Sequence, residues 1–215
     1  MLAFFVTYSI IMIWYSSFYI GNNNMQIKIY ENFFSTISIL LPSLISVYAS
    51  LECFIEKKAN NFQNIIGKLN AFFSKIIILT LNLFISLLLS TLIFLSYINL
   101  HFNINLSYKL FLTGALLTFI GSIPLIYIYV VSSLINSIAP TVCLGFFSTL
   151  ISAILGATAL GDHIWTIVPF TYPLRLAFIQ FVEQMMNWSL VIPLLIGIII
   201  ILYSTFWFSK WEGNK

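Results

Sequence analysis

Six apolar runs of about twenty residues follow one another along the chain, and the charged residues fall almost wholly between them. A hydrocarbon core about 30 Å thick is spanned by roughly 20 residues of helix, at 1.5 Å per residue. The runs cover residues 2–20, 33–53, 76–98, 110–131, 141–160 and 190–208. Glu52, at the end of the second, is the one Asp, Glu, Lys, Arg or His in any of them. Lipid offers no partner to a bare N–H or C=O, so such runs must satisfy their backbones internally, as helices. The expected fold is an all-α integral membrane protein, one domain over residues 1–215 with six transmembrane helices.

Outside the spans the longest stretches are residues 52–75 and 161–187. Both fall far short of the roughly 50 residues an independent domain needs. The work of this chain is therefore done in the membrane or through partners. A net charge of +3, spread over nine basic and six acidic residues, excludes a nucleic-acid binder. Cys53 and Cys143 stand in no metal or redox spacing and read as buried, inert thiols. Residues 1–20 lack a basic leader and an A-x-A-like site, so they read as a span, not a cleaved signal.

Basic residues set the orientation. Lys57, Lys58, Lys68 and Lys75 follow the second span, and Lys210 and Lys215 follow the last. Lys28, Lys109 and Arg175 lie on the other side, one per connection. Positive charge is retained on the cytoplasmic face, which places both termini there.

Two segments are neither spans nor simple loops. Phe62, Ile65, Ile66, Leu69, Phe72, Phe73 and Ile76 recur at helical spacing, with Asn60, Asn61, Gln63, Asn64 and Lys68 opposite them. That is the pattern of a cytoplasmic amphipathic helix. Two readings stand: a helix lying on the inner leaflet, or a docking element for a cytoplasmic partner. Residues 161–187 are apolar enough to suggest a seventh span, but Pro169, Pro173 and Arg175 sit at their centre. An arginine is costly at mid-bilayer, so the expectation is an outer re-entrant or interfacial hairpin before the last span, with Trp165 and Tyr172 at headgroup depth.

Within the second span Ser35, Ser38, Pro42, Ser46 and Ser50 recur every three or four residues, and Ala153, Ala157 and Gly161 would form a small-residue ridge on the fifth. Small stripes let helix backbones approach closely; a lining for a polar substrate path is the competing reading. Pro42 is expected to kink its helix. No P-loop motif, mid-span acid or H-E-x-x-H is present, and His101 and His163 fall in outer loops. No catalytic residue, cofactor or metal site is expected. A transporter built this way needs a partner that supplies energy.

Glu52-Cys53-Phe54-Ile55-Glu56-Lys57-Lys58, followed by Asn61-Phe62-Gln63-Asn64-Ile65-Ile66, resembles the E-x-x-x-E-K…F-Q-x-[IL]-[IL] segment of ABC-2-type permeases. Trp165, Pro169, Phe170, Tyr172, Pro173 and Arg175 are similar to the W-x-x-x-P-[FWY]-x-[YF]-P-x-R pattern of the lantibiotic-immunity permeases of the MutE/EpiE group. The family usually begins with some twenty cytoplasmic residues, whereas this chain enters its first span almost at once. The resemblance implies a permease subunit in a bacterial plasma membrane, paired with a sister or identical permease and two copies of a cytoplasmic ATPase. The complex would expel an amphipathic peptide antibiotic from membrane lipid. Glu52, Glu56, Lys57, Phe62 and Ile66 would form the ATPase-coupling surface; Trp165, Tyr172 and Arg175 would belong to the outer, substrate-facing hairpin. The alternatives are an ABC-2 exporter of another drug or lipid cargo, a passive subunit that sequesters the peptide, and, more remotely, an intramembrane protease.

Overall fold

The computed structural model describes residues 1–19, 25–60, 68–102, 105–179 and 188–210. Among these the chain is helical, with no strand. The α-helices are α1 (Leu2–Ser16), α2 (Met25–Asn60), α3 (Lys68–His101), α4 (Tyr108–Ile135), α5 (Ile138–Ile151), α6 (Tyr172–Phe178) and α7 (Trp188–Lys210). Six helical stretches are long and apolar enough to cross a membrane: Leu2–Tyr19, Met25–Ile55, Leu69–His101, Tyr108–Ile135, Ile138–Gly156 and Val191–Lys210. The fold is that of a multi-pass, all-helical membrane protein.

Helix and apolar run do not coincide. The second helix starts at Met25, ahead of the run that opens at Phe33, and continues to Asn60. Gln26, Lys28 and Glu31 end the hydrophobic stretch but are good helix formers, and no Gly or Pro stops the backbone there. Pro42 lies inside this unbroken helix. The expected amphipathic segment is divided in the same way. Residues 61–67, with Phe62 and Ile66, lie outside the described part, while Leu69, Phe72, Phe73 and Ile76 belong to the first turns of α3. Of these, Phe72 and Ile76 are buried and Leu69 and Phe73 exposed.

The fifth span departs most from expectation. Its helix passes into a π-helical turn at Ser152–Gly156 and ends there. Leu160 and Gly161 belong instead to a separate 3-10 turn, Ala159–Gly161. The ridge expected from Ala153, Ala157 and Gly161 therefore does not form, because the helix carrying its spacing stops before the third residue.

α2 and α4 form the centre. In each, 56% of the best spanning window is buried, against 22% for the spans of α5 and α7. Tyr30, Phe33 and Phe34 of α2 meet Phe94 of α3 and Phe111 of α4 in an aromatic cluster, with the Phe33 and Phe94 ring centroids 4.5 Å apart. At the opposite end Phe72 stacks on Phe208 of α7 at the same separation. α1 is fastened by hydroxyls: Ser9 Oγ lies 2.8 Å from Ser90 Oγ of α3, and the Tyr8 hydroxyl donates to the Phe33 carbonyl.

Candidate functional site

The buried residues of the fifth span are Thr141, Gly145, Ser148, Ser152 and Gly156, every one small or polar. Its large apolar side chains, Leu144, Phe146, Phe147, Leu150 and Ile154, are exposed. In water this would be an inverted helix. In lipid an outward apolar face gains nothing by burial, and contact depends on how closely backbones approach. The facing stripe on α2 is Ser38, Pro42, Ser46 and Ser50, all buried. The approach is tightest at Gly145, where a Cβ would stand 1.8 Å from Ser46 Oγ and 3.3 Å from the Pro42 carbonyl.

Most hydroxyls along this seam donate within their own helix: Ser46 to the Ser43 carbonyl, Ser50 to Val47, Ser148 to Leu144. Two do not. Ser38 and Ser152 are fully buried, and their hydroxyls have no hydrogen-bond partner. From the Ser46–Gly145 contact, Ser38 lies two turns back along α2 and Ser152 two turns on along α5. The antiparallel pair thus sets them at one level. An unpaired buried hydroxyl costs about 1–3 kcal/mol, so the seam holds polar capacity that its own packing leaves unused.

The π-helical turn leads into the segment expected as a hairpin. Arg175 of α6 reaches back to it: Nη1 donates to Asp162 Oδ1 at 2.8 Å, and Nη2 donates to the carbonyls of Leu155 at 2.9 Å and Thr158 at 2.7 Å. A cation on a last-turn carbonyl such as that of Leu155 is favoured by the helix dipole and satisfies an acceptor the helix leaves open; the Thr158 carbonyl, just past the helix, also accepts from the Gly161 N–H. Gly161 makes the fold-back possible, since a Cβ there would stand 1.7 Å from the Leu155 carbonyl oxygen.

α6 itself is wedged between α4 and α2. A Cβ on Gly121 would fall 2.7 Å from the Tyr172 carbonyl carbon, so backbone meets backbone there. Thirteen residues of α4 separate Tyr108 from Gly121, roughly 20 Å of helix at the usual rise. The Tyr30 hydroxyl donates to the Ala177 carbonyl at 2.6 Å. Trp165 and Tyr172 are 2% and 1% exposed, and the Tyr172 hydroxyl donates to the Thr166 carbonyl. The two rings expected to present an aromatic surface to headgroups therefore face protein. Arg175, expected beside them on the outer hairpin, is held by Asp162 and two carbonyls.

At the other end, Glu52 Oε2 lies 3.3 Å from Lys75 Nζ, tying α2 to α3. Lys57 Nζ donates to the Asn136 carbonyl at 2.8 Å, at the C-terminal end of α4. Loss of water around that ammonium lowers its pKa, a trend the nearby Cys53 opposes. Glu56 lies on the same helix. Of the coupling residues, the structure thus brings Glu52 and Lys57 to the ends of α3 and α4. Cys53 is buried as expected, but Cys143 is exposed, because it lies on the outward face of α5.

Sequence reasoning missed the notches on α4. Gly114 admits Tyr30, whose hydroxyl would stand 2.2 Å from a Cβ, and Gly121 admits α6. The signal was present: Gly114, Thr118 and Ser122, with Ala115 and Gly121, set small residues at helical spacing in the fourth run. No family model matches the chain, and neither a curated protein nor a solved structure matches it.

Two stability measurements test this packing. Gly145→Ala is expected to cost about 1–3 kcal/mol, the usual penalty of overpacking, and Ser46→Gly in the same chain should recover part of it; strictly additive thermal shifts in detergent would show that the two helices do not meet there. Arg175→Gln should lose about 1.5–3 kcal/mol, the range for hydrogen bonds to a charged group. Asp162→Asn should lose less, because Asp162 is 43% exposed and solvent screens its share. Equal losses would locate the value of the cluster in the ion pair, not in the capped carbonyls.

Proposed function

We propose that this chain is the permease subunit of an ATP-driven ABC-2-type exporter that expels a lantibiotic-type peptide from the membrane of the cell that makes it. The observation carrying this reading is the juxtaposition at the basic end, where the segment Glu52–Lys58 resembles the ABC-2 coupling segment and contributes both Glu52 and Lys57 to contacts with the ends of α3 and α4. An ATPase pressing on the chain where it passes from α2 to α3 would act on α2 directly, and α2 is the helix against which α5 packs. The chain has no P-loop of its own, which fits a division of labour with two ATPase subunits and a sister or identical permease. The amphipathic pattern over residues 62–76 serves as the cytoplasmic ATPase-coupling element, and the segment carrying Trp165, Tyr172 and Arg175 serves as the outer re-entrant hairpin on the substrate side. A drug or lipid cargo would use the same machinery; neighbouring genes for peptide modification separate the two.

Co-purification comes first: an ATPase subunit should leave detergent with this chain. Glu56→Gln and Phe62→Ala should then remain in the membrane yet abolish substrate-stimulated ATP hydrolysis by the complex, since an amphipathic helix docks through its apolar face. An unchanged stimulated rate in both variants would favour a helix that merely lies on the inner leaflet. Orientation has its own test. With Cys53 and Cys143 replaced, Asn23→Cys should react with an impermeant thiol reagent in intact cells, whereas Asn61→Cys and Asn214→Cys should be protected. Labelling of position 214 from outside would require a seventh crossing.

A further inference from the structure

We propose that the cleft between α2, α5 and α6 binds the primary ammonium headgroup of a membrane lipid, with Glu31 as its counter-ion. The cleft, about 290 Å³, is lined by Glu31, Ser35, Ala157, Leu174, Arg175 and Phe178, among others. Its two charged residues have opposite sign, yet they are not partners. Arg175 gives Nη1 to Asp162 and Nη2 to the carbonyls of Leu155 and Thr158. One positive and one negative charge cancel in that pair, so Glu31 leaves the cleft with a net charge of −1.

Glu31 is exposed, and among the described residues it has no hydrogen bond or ion pair. Lys28, one turn back on α2, is not paired with it. Ser35 Oγ makes a single long bond, 3.4 Å, to the Asn32 carbonyl, and its lone pairs stay open. The cleft therefore offers a carboxylate and a hydroxyl as acceptors, beside the Arg175 Nε–H, a buried donor with no partner that can take an oxygen of the same headgroup. Two protein oxygens are too few for a hard divalent cation, which takes six or more. A primary ammonium brings three N–H donors and one charge on a flexible stem, and Ala157, Leu174 and Phe178 provide an apolar wall for the methylenes beside it.

Glu31 lies just before Phe33, where the apolar run of α2 begins, and that boundary is where headgroups sit. A carboxylate facing the hydrocarbon edge is disfavoured unless a cation joins it. The cleft is at the lower limit of small-molecule sites, a size for a headgroup and not for a folded peptide. This inference stands without the export reading.

The test uses full-length protein reconstituted in phosphatidylcholine vesicles with three spin-labelled single-chain probes: a long-chain primary amine, its trimethylammonium analogue and a fatty acid. The fraction of each probe immobilised at the protein is read by electron paramagnetic resonance. The primary amine should be enriched roughly fivefold over the trimethylammonium probe, which has the same charge but no N–H donor, a ratio in the range of one net hydrogen bond. Glu31→Gln should abolish that ratio and Ser35→Ala should reduce it, with unchanged helix content in both, while Lys28→Gln should retain it. Equal enrichment of the two cationic probes, or a ratio that survives Glu31→Gln, would overturn the proposal. So would the absence of amine enrichment together with carbodiimide cross-linking of a lysine-bearing amphipathic peptide to Glu31, because the occupant would then be a peptide.

Discussion

The architecture rests on one constraint: inside lipid, an apolar side chain gains almost nothing by turning toward another helix. Helices are held instead where their backbones can come close, and among the described residues several such places are marked by a glycine or a hydroxyl. Gly145 lets α5 reach Ser46, Gly114 receives Tyr30, and Gly121 lets α6 lie on α4. The aromatic cluster of Tyr30, Phe33, Phe34, Phe94 and Phe111 is the complement of these notches. Large rings fill the volume between helices that small residues have positioned, and dispersion over many contacts holds them. The same constraint explains why α5 carries its phenylalanines outward without penalty.

Charge is handled by a related rule. A guanidinium at the edge of hydrocarbon needs partners for its donors, and Arg175 gives its two terminal nitrogens to Asp162 and to the carbonyls of Leu155 and Thr158, while its buried Nε–H has no hydrogen-bond partner. The Leu155 carbonyl is free to accept because the helix ends there, in a π-helical turn followed by a chain that folds back at Gly161. Helix end and arginine thus require one another. The same logic recurs at the basic end, where Lys57 takes the Asn136 carbonyl at the close of α4. In both places a cation does double duty, completing a helix terminus and fixing the position of a neighbouring element.

Much of the fold was legible, and the reasons it was legible also show where reading fails. Length and apolarity identify a span because backbone satisfaction leaves helix as the answer. They do not identify where the helix stops, since Gln26, Lys28 and Glu31 can continue a helix that has left the hydrocarbon. The serine stripe of α2 was visible and lies in the seam. On the fifth span the spacing suggested a ridge of Ala153, Ala157 and Gly161, whereas the buried stripe is Thr141, Gly145, Ser148, Ser152 and Gly156. That error has a physical cause: spacing alone cannot say which of two small-residue faces turns inward, nor that a π-helical turn ends the helix between them. Trp165 and Tyr172 are buried, and Arg175 is bound to Asp162 and two carbonyls, a setting the sequence did not reveal. Aromatic and basic residues near a membrane boundary suggest a display to headgroups, and only the packing of α6 on α4 reveals them as internal supports.

The asymmetry between α2 and α5 bears on motion. α2 is fixed at one end by the Tyr30 hydroxyl on Ala177 and by the aromatic cluster, and near the other by Glu52 with Lys75 and Lys57 with Asn136. α5 is held along its length by small side chains and by hydroxyls bonded mainly within their own helices, with Arg175 closing its far end. Sliding α5 along α2 would part no buried aromatic ring, because the residues that α5 buries are small or polar. The free energy opposing such a shift is therefore smaller than for any displacement of α2 from α4, whose contact includes the buried rings of Tyr30, Phe34 and Phe111. The two contacts of α2 thus differ in kind: close backbone approach over small residues toward α5, and interlocked rings toward α4.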